Sequence, residues 1–209
     1  MVKRTQTSKA WMMRHVNDPY VKRAQADGMR SRAAYKLMQI NEKDKLLKSG
    51  MLVVDLGATP GGWSQVAARI VSPAGRVIAV DLLEMTGLPG VTFIQDDFST
   101  DAGLAAVEKE LAGRQVDLVL SDMAPNISGV ALADQSRLIG LVELALDFAV
   151  KHLKPQGNFL VKVFQGAGFD EFVLAMRRAF VQVQTRKPDA SRKGSREVYL
   201  LGKGLRVTE

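Results

Sequence analysis

A lysine in the middle of an apolar strand is the first residue that could do chemistry. In NFLVKVFQG (158–166), Lys162 is flanked by Val161 and Val163. Alternation places Leu160, Lys162 and Phe164 on one strand face and the two valines on the other. Both faces are apolar, the pattern of an interior strand of a parallel sheet. An ammonium group there is costly unless it is paired. An amine whose pKa is lowered by burial is also a candidate general base. Asp122, at the end of the apolar run VDLVLSD (116–122), is the acid that could meet it. The competing reading of Lys162 is a strand-end lysine whose stem snorkels along apolar surface.

A second constellation lies earlier in the chain. The run LVVDL leads into DLGATPGGWSQ (55–65), a glycine-rich turn where ligands of open α/β sheets bind. It is not the dinucleotide fingerprint G-x-G-x-x-G: Ala58 and Thr59 follow Gly57, and the second glycine is missing. Pro60 removes an N–H donor where a pyrophosphate would be cradled. A nicotinamide-dependent oxidoreductase is therefore disfavoured. Asp81 ends VIAVD (77–81), a position suited to ribose hydroxyls. Asp97, in FIQDDF (93–98), could meet an adenine amino group, with Asp96 its solvated neighbour. Three strand ends agree on a nucleoside without phosphates, which points to S-adenosylmethionine.

The elements that must position these groups alternate along the chain. Apolar runs at 52–56, 76–80, 91–94, 116–120, 158–164, 181–186 and 197–201 are strand candidates. Helical periodicity covers 63–71, 101–112, 134–153 and 168–180, with a further helical stretch around 31–47. Asp134 is a candidate N-cap region, and Pro155-Gln156-Gly157 a stop signal. This alternation predicts an α/β, doubly wound, Rossmann-like fold: a seven-stranded, mostly parallel sheet with helices on both faces. Only residues 187–196 separate the last two strands, too few for an easy crossover, so antiparallel pairing is expected there.

Charge divides the chain in two. The first 36 residues hold nine Lys and Arg against two acids, so they carry the whole net charge of +7 and the remainder balances. A second basic cluster occupies 185–197. Concentrated positive charge suits a polyanion, and Arg30, Arg32, Arg192, Lys193 and Arg196 are expected phosphate contacts. Trp11 and Tyr20 could stack on bases or anchor the segment to the body. Residues 1–30 are read as a basic N-terminal extension and 31–209 as one catalytic domain. With no cysteine and only His15 and His152, no metal site is expected. No apolar run is long enough to span a membrane, and the N-terminus lacks the apolar stretch of a signal peptide. A cytoplasmic location and no membrane partner are expected.

Taken together, the motifs have a family resemblance. S-R-A-A-Y-K-L (31–37), D-L-G-A-T-P-G-G-W-S-Q (55–65), S-D-M-A-P-N-I-S-G (121–129), V-K-V-F-Q-G (161–166) and S-R-E-V-Y (195–199) resemble the FtsJ family of RNA 2′-O-ribose methyltransferases. The resemblance runs from about residue 11 to 202, with Thr59 standing where a second small alanine is expected. It implies a methyltransferase fold and a catalytic set of Lys36, Asp122, Lys162 and Glu197. It also implies cofactor contacts from Gly61, Trp63, Asp81, Asp97 and Asp122, with S-adenosylmethionine as cofactor and no metal. The implied reaction is methylation of a uridine 2′-hydroxyl in large-subunit (23S) ribosomal RNA, in the assembled subunit, by a monomer. Transfer RNA or a messenger cap is the alternative substrate. A non-catalytic RNA-binding assembly factor is the alternative role, against which the intact tetrad argues. On its own Lys36 reads as a solvated helix charge. Whether one lysine acts as base depends on the balance between burial and neighbouring cations, which favour the free amine, and the two acids, which favour the ammonium.

Overall fold

The computed structural model describes residues 16–125, 129, 131–192 and 194–207. Its elements in chain order are α1 (Pro19–Ala26), α2 (Ala33–Asp44), β1 (Leu52–Leu56), α3 (Gly62–Val71), β2 (Arg76–Asp81), β3 (Val91–Gln95), α4 (Asp101–Leu111), β4 (Val116–Ser121), α5 (Ala131–His152), β5 (Leu153–Phe164), α6 (Phe169–Ala179), β6 (Phe180–Arg186) and β7 (Glu197–Leu205). The strands form one sheet in the order β3-β2-β1-β4-β5-β7-β6. Only β7 runs antiparallel, wedged between β5 and β6. The fold class and the antiparallel final pair are as the sequence pattern predicts.

The period of two along each strand sorts side chains into two cores. Val54, Ile78, Val119 and Phe159 face α4, α5 and α6, which bring Leu111, Phe148 and Phe172. Val53, Leu118, Leu160 and Tyr199 face α2 and α3, which bring Leu37, Ile40 and Val66. All five residues of β1 are buried, as expected for a central strand covered on both faces. Each buried Val, Leu or Phe contributes about 1.5–3 kcal/mol relative to exposure. That gain holds the strand ends still enough to carry a site.

Two boundaries depart from the sequence reading. Helix α5 begins at Ala131, so Asp134 lies in its first turn and accepts the Gly129 N–H at 3.0 Å. At the other end, Pro155-Gln156-Gly157 does more than stop the helix. β5 begins at Leu153, directly after His152, and the three residues form an irregular entry to the strand. Gln156 takes φ 65°, and the pairing with β4 jumps from Val116↔Leu153 to Leu118↔Asn158. An irregular segment of this kind re-registers the strand so that its second half pairs properly. That second half carries Lys162 opposite Tyr199, and Phe164 opposite Glu197.

The N-terminal end of the described chain is anchored to the body. Tyr20 packs on Tyr35 with ring centroids 5.6 Å apart, and its hydroxyl accepts from Gln39 Nε2 at 3.3 Å. Tyr20 is thus an anchor, while Trp11, Lys3, Arg4, Lys9 and Arg14 lie outside the described residues, as does Lys193. Among the described residues no helix is long and apolar enough to cross a membrane.

Candidate active site

The carboxyl ends of β1, β2 and β4 are laced together by backbone hydrogen bonds. Gly57 N donates to Val80 O at 2.9 Å, and Asp122 N donates to Leu56 O at 3.1 Å. Gly57 has φ 77°, and a Cβ there would lie 2.7 Å from Met123 Cγ. Glycine is therefore required both by conformation and by the close approach of the loop after β4. Gly61 has φ 101°, and a Cβ would meet Met85 Sδ at 2.7 Å.

Asp81 closes this loop from the next strand. Its Oδ2 accepts the Thr59 N–H at 2.9 Å and its Oδ1 the Leu83 N–H at 2.8 Å. Each carboxylate oxygen retains acceptor capacity for a ribose hydroxyl. Leu82 and Leu83, the next two residues, are exposed at 59% and 66%, an apolar lip suited to a flat base. Asp97 accepts the Ser99 hydroxyl at 2.6 Å and the Ser99 N–H at 2.9 Å; these bonds lower its pKa. Trp63 differs from the rest of the expected cofactor set. Its side chain is 2% exposed, and its indole N–H donates to Ala33 O at 2.9 Å. It fastens α2 to α3 and supports Tyr199, whose ring centroid is 5.6 Å away.

Beneath the loop lies Asp55, wholly buried. Ser64 Oγ donates to its Oδ2 at 2.6 Å, and its Oδ1 has no hydrogen-bond partner among the described residues. Burial pushes its pKa up to about 7, with the charges of Asp122 and Asp81 adding to the shift.

The second half of the site is assembled from side chains far apart in sequence. Lys162 is 8% exposed. Its Nζ donates to Asp122 O at 2.6 Å and lies 3.1 Å from Asp122 Oδ1. Lys36 Nζ lies 2.6 Å from Glu197 Oε1, across 161 residues of chain. Tyr199 stands between the pairs, its hydroxyl 3.3 Å from Asp122 Oδ1 and 3.2 Å from Glu197 Oε1. One hydroxyl proton can serve only one of those acids at a time. Burial raises the Glu197 pKa, but the charge and hydrogen bond of Lys36, the charge of Lys162 and the Ser191 hydroxyl outweigh it and hold the carboxyl below its ordinary value. Burial between two carboxylates drives the Tyr199 phenol well above its ordinary value. It is a fixed donor.

All four tetrad residues therefore meet. Tyr199 joins them, a residue outside the four that the family resemblance implies. The signal was present: Glu197 and Tyr199 are two apart on one strand and share a face. Three of the expected phosphate-binding arginines have partners within the protein. Arg32 pairs with Asp18 Oδ2 at 2.7 Å and donates to Ala190 O. Arg192 approaches the same Asp18 at 3.7 Å, so the two basic segments are joined through one carboxylate. Arg30 donates to three backbone carbonyls of the loops after β1 and β2.

A cavity of about 540 Å³ lies at the opposite, amino-terminal ends of the central strands, lined by residues including Gly75, Arg76, Arg114 and Lys154. Its charges are used locally: Arg76 faces Glu110 at 3.5 Å and Lys154 faces Asp117 at 2.7 Å. Parallel sheets bind ligands at their carboxyl ends, whereas this cavity lies at the amino ends of β1, β2 and β4. No cluster able to hold a metal ion occurs among the described residues.

A Rossmann-like methyltransferase fold is what this sheet order and cleft define. The solved structure of a ribosomal RNA methyltransferase from Plasmodium falciparum superposes with a TM-score of 0.74 at 28% identity, covering 84% of this chain and 98% of that one. A Streptococcus mutans methyltransferase in complex with SAH shares the fold at a TM-score of 0.52 and 12% identity, covering 83% and 96%. The FtsJ-like methyltransferase family model matches residues 29–205, and the chain belongs to that family. Among curated relatives, the ribosomal RNA large subunit methyltransferase E of an Azoarcus species is 63% identical over 98% of this chain and 100% of its own. The protein of the same name from Methylobacillus flagellatus is 61% identical over 96% and 97%.

Proposed function

We propose that this enzyme transfers a methyl group from S-adenosylmethionine to the 2′-hydroxyl of a uridine in large-subunit (23S) ribosomal RNA, with the assembled subunit as substrate. The observation that carries the reading is the meeting of two buried lysine–carboxylate pairs, Lys162–Asp122 and Lys36–Glu197, at one tyrosine hydroxyl beside the glycine loop. Both high-identity relatives are named for large-subunit ribosomal RNA, which supports the substrate class.

The residues present fit the cofactor. The glycine loop leaves no room for a Cβ at Gly57 or Gly61, Pro60 removes a phosphate-binding N–H, and Asp81 offers ribose-accepting oxygens next to two exposed leucines. S-adenosylmethionine would supply the electrophilic sulfonium methyl. A ribose hydroxyl is a weak nucleophile until its proton leaves, and Lys162 is assigned as the base that takes it. Asp122 and Glu197 aim the two amines, and Lys36 stabilises oxyanion character as it develops. Fixing hydroxyl and methyl in line supplies a further share of the rate. The protein is proposed to act as a cytoplasmic monomer, with Arg196 among its RNA-facing charges.

The test is radiolabelled methyl transfer to large subunits from cells lacking this protein, followed by mapping of the labelled ribose. One labelled 2′-O-methyluridine in 23S RNA is the expected result. Label only in transfer RNA, or no label with intact RNA binding, overturns it.

A further inference from the structure

We propose that Arg30 is a positioning residue for the cofactor, clamping the loop after β2 onto the glycine loop, rather than a ligand of RNA phosphate. Its Nη1 donates to Pro60 O at 3.3 Å and to Thr86 O at 2.5 Å, and its Nη2 to Gly87 O at 2.7 Å. One planar guanidinium thus spans both loops, a geometry an ammonium group cannot reproduce. The arginine is itself pinned. Arg30 N donates to Gln65 Oε1 at 3.0 Å, and Gln65 Nε2 donates back to Gly28 O at 2.9 Å. Gly61 lies under the clamp, where a Cβ would come within 3.0 Å of Arg30 Cδ and Nη1.

Thr59 supplies a second latch. Its hydroxyl donates to Leu83 O at 2.9 Å, and its N–H holds Asp81 Oδ2 at 2.9 Å. Alanine at this position would keep the N–H contact and lose the hydroxyl one. The loop is therefore held at two points, and the residues of the second latch, Thr59 and Leu83, also bond the Asp81 carboxylate through their N–H groups. Three of the five guanidinium N–H groups are committed to carbonyls, which leaves a phosphate only the remaining two. No tetrad residue touches the clamp, so its loss is felt in cofactor binding and not in the chemical step.

The inference rests on the proposed S-adenosylmethionine site. Calorimetry with S-adenosylmethionine on the full chain, kinetics on large subunits and RNA filter binding over a salt series test it together. Arg30→Ala is expected to raise Kd and KM for the cofactor about tenfold, in keeping with loss of charge-assisted hydrogen bonds. Its kcat should stay within about twofold, and the log–log salt slope should be unchanged instead of falling by about one unit per lost phosphate contact. Arg30→Lys should not rescue, and Thr59→Ala should raise Kd about threefold, one neutral hydrogen bond's worth. If Arg30→Ala does not fold, Arg30→Lys and Thr59→Ala decide. Wild-type cofactor affinity in those variants, or a flattened salt slope, overturns the clamp. A wild-type protein that binds no S-adenosylmethionine overturns the functional reading, and the clamp with it.

Discussion

The two halves of the proposed site are built by different means. The cofactor half uses backbone: the loop at 57–61 and the turn after Asp81 are held by main-chain N–H and C=O groups and by the space that glycine leaves. The reacting half uses side chains: Lys36, Asp122, Lys162, Glu197 and Tyr199 come from α2, the end of β4, β5 and β7. The cradle fails with a Cβ added at Gly57 or Gly61, where there is no room for one. A side-chain network fails with the loss of a single member, because a buried partner is then left unpaired.

That contrast can be broken most directly at Lys162. Lys162→Ala should lower kcat about a thousandfold, within the range for loss of a general base, while cofactor affinity stays within about twofold. Lys162→Arg should not restore turnover, since guanidinium stays protonated. Single-turnover methyl transfer with parallel calorimetry measures both. A matching fall in cofactor affinity would erase the division between the halves.

The reciprocal change is Asp81→Ala. It should weaken S-adenosylmethionine binding about thirtyfold, as expected when bonds to a charged group are lost, and leave kcat at saturation near wild type. A large loss of kcat with unchanged affinity would assign Asp81 to the reacting half instead.

Acids behind the two halves should respond to pH with opposite sign. Hydrogen bonds from Arg186 and Lys203 hold Asp44 to about 2 despite its burial. The stability it contributes is present above its unfolded value near 4 and is lost as pH falls towards 2. Asp44→Asn should cost about 2 kcal/mol at neutral pH and remove that acid dependence. Asp55, raised to about 7, stabilises the fold below pH 4 and loses that contribution as pH rises through 7. Asp55→Asn should flatten the decline between pH 4 and 7. Urea melts across pH measure both slopes, and slopes of the same sign would refute the assignment of either acid.

Tyr199→Phe should lower kcat only about fivefold, the value of one net hydrogen bond. Combined with Glu197→Gln it should be clearly non-additive, because both changes act on one network. Strict additivity would mean that Tyr199 packs beside the pairs without linking them.

Much of this molecule could be read from its sequence. Strand and helix positions follow from hydrophobic periodicity, which depends only on near neighbours in the chain. The glycine loop was legible for the same reason, since φ at Gly57 and Gly61 is a local property. The Pro155-Gln156-Gly157 segment follows the end of the helix as its stop signal indicates, but turn residues do not say that a strand has begun and resumes in new register.

What only the tertiary structure decided is who partners each charge. Sequence placed Arg30 and Arg32 with RNA because both lie in a segment of high positive charge. Folding spent Arg30 on the carbonyls of Pro60, Thr86 and Gly87, and Arg32 on Asp18. Lys36 reads as a solvated helix lysine until β7 brings Glu197 within 2.6 Å. A residue's charge is written in the chain, but its partner is set by packing between segments far apart, and short-range pattern carries no record of that distance.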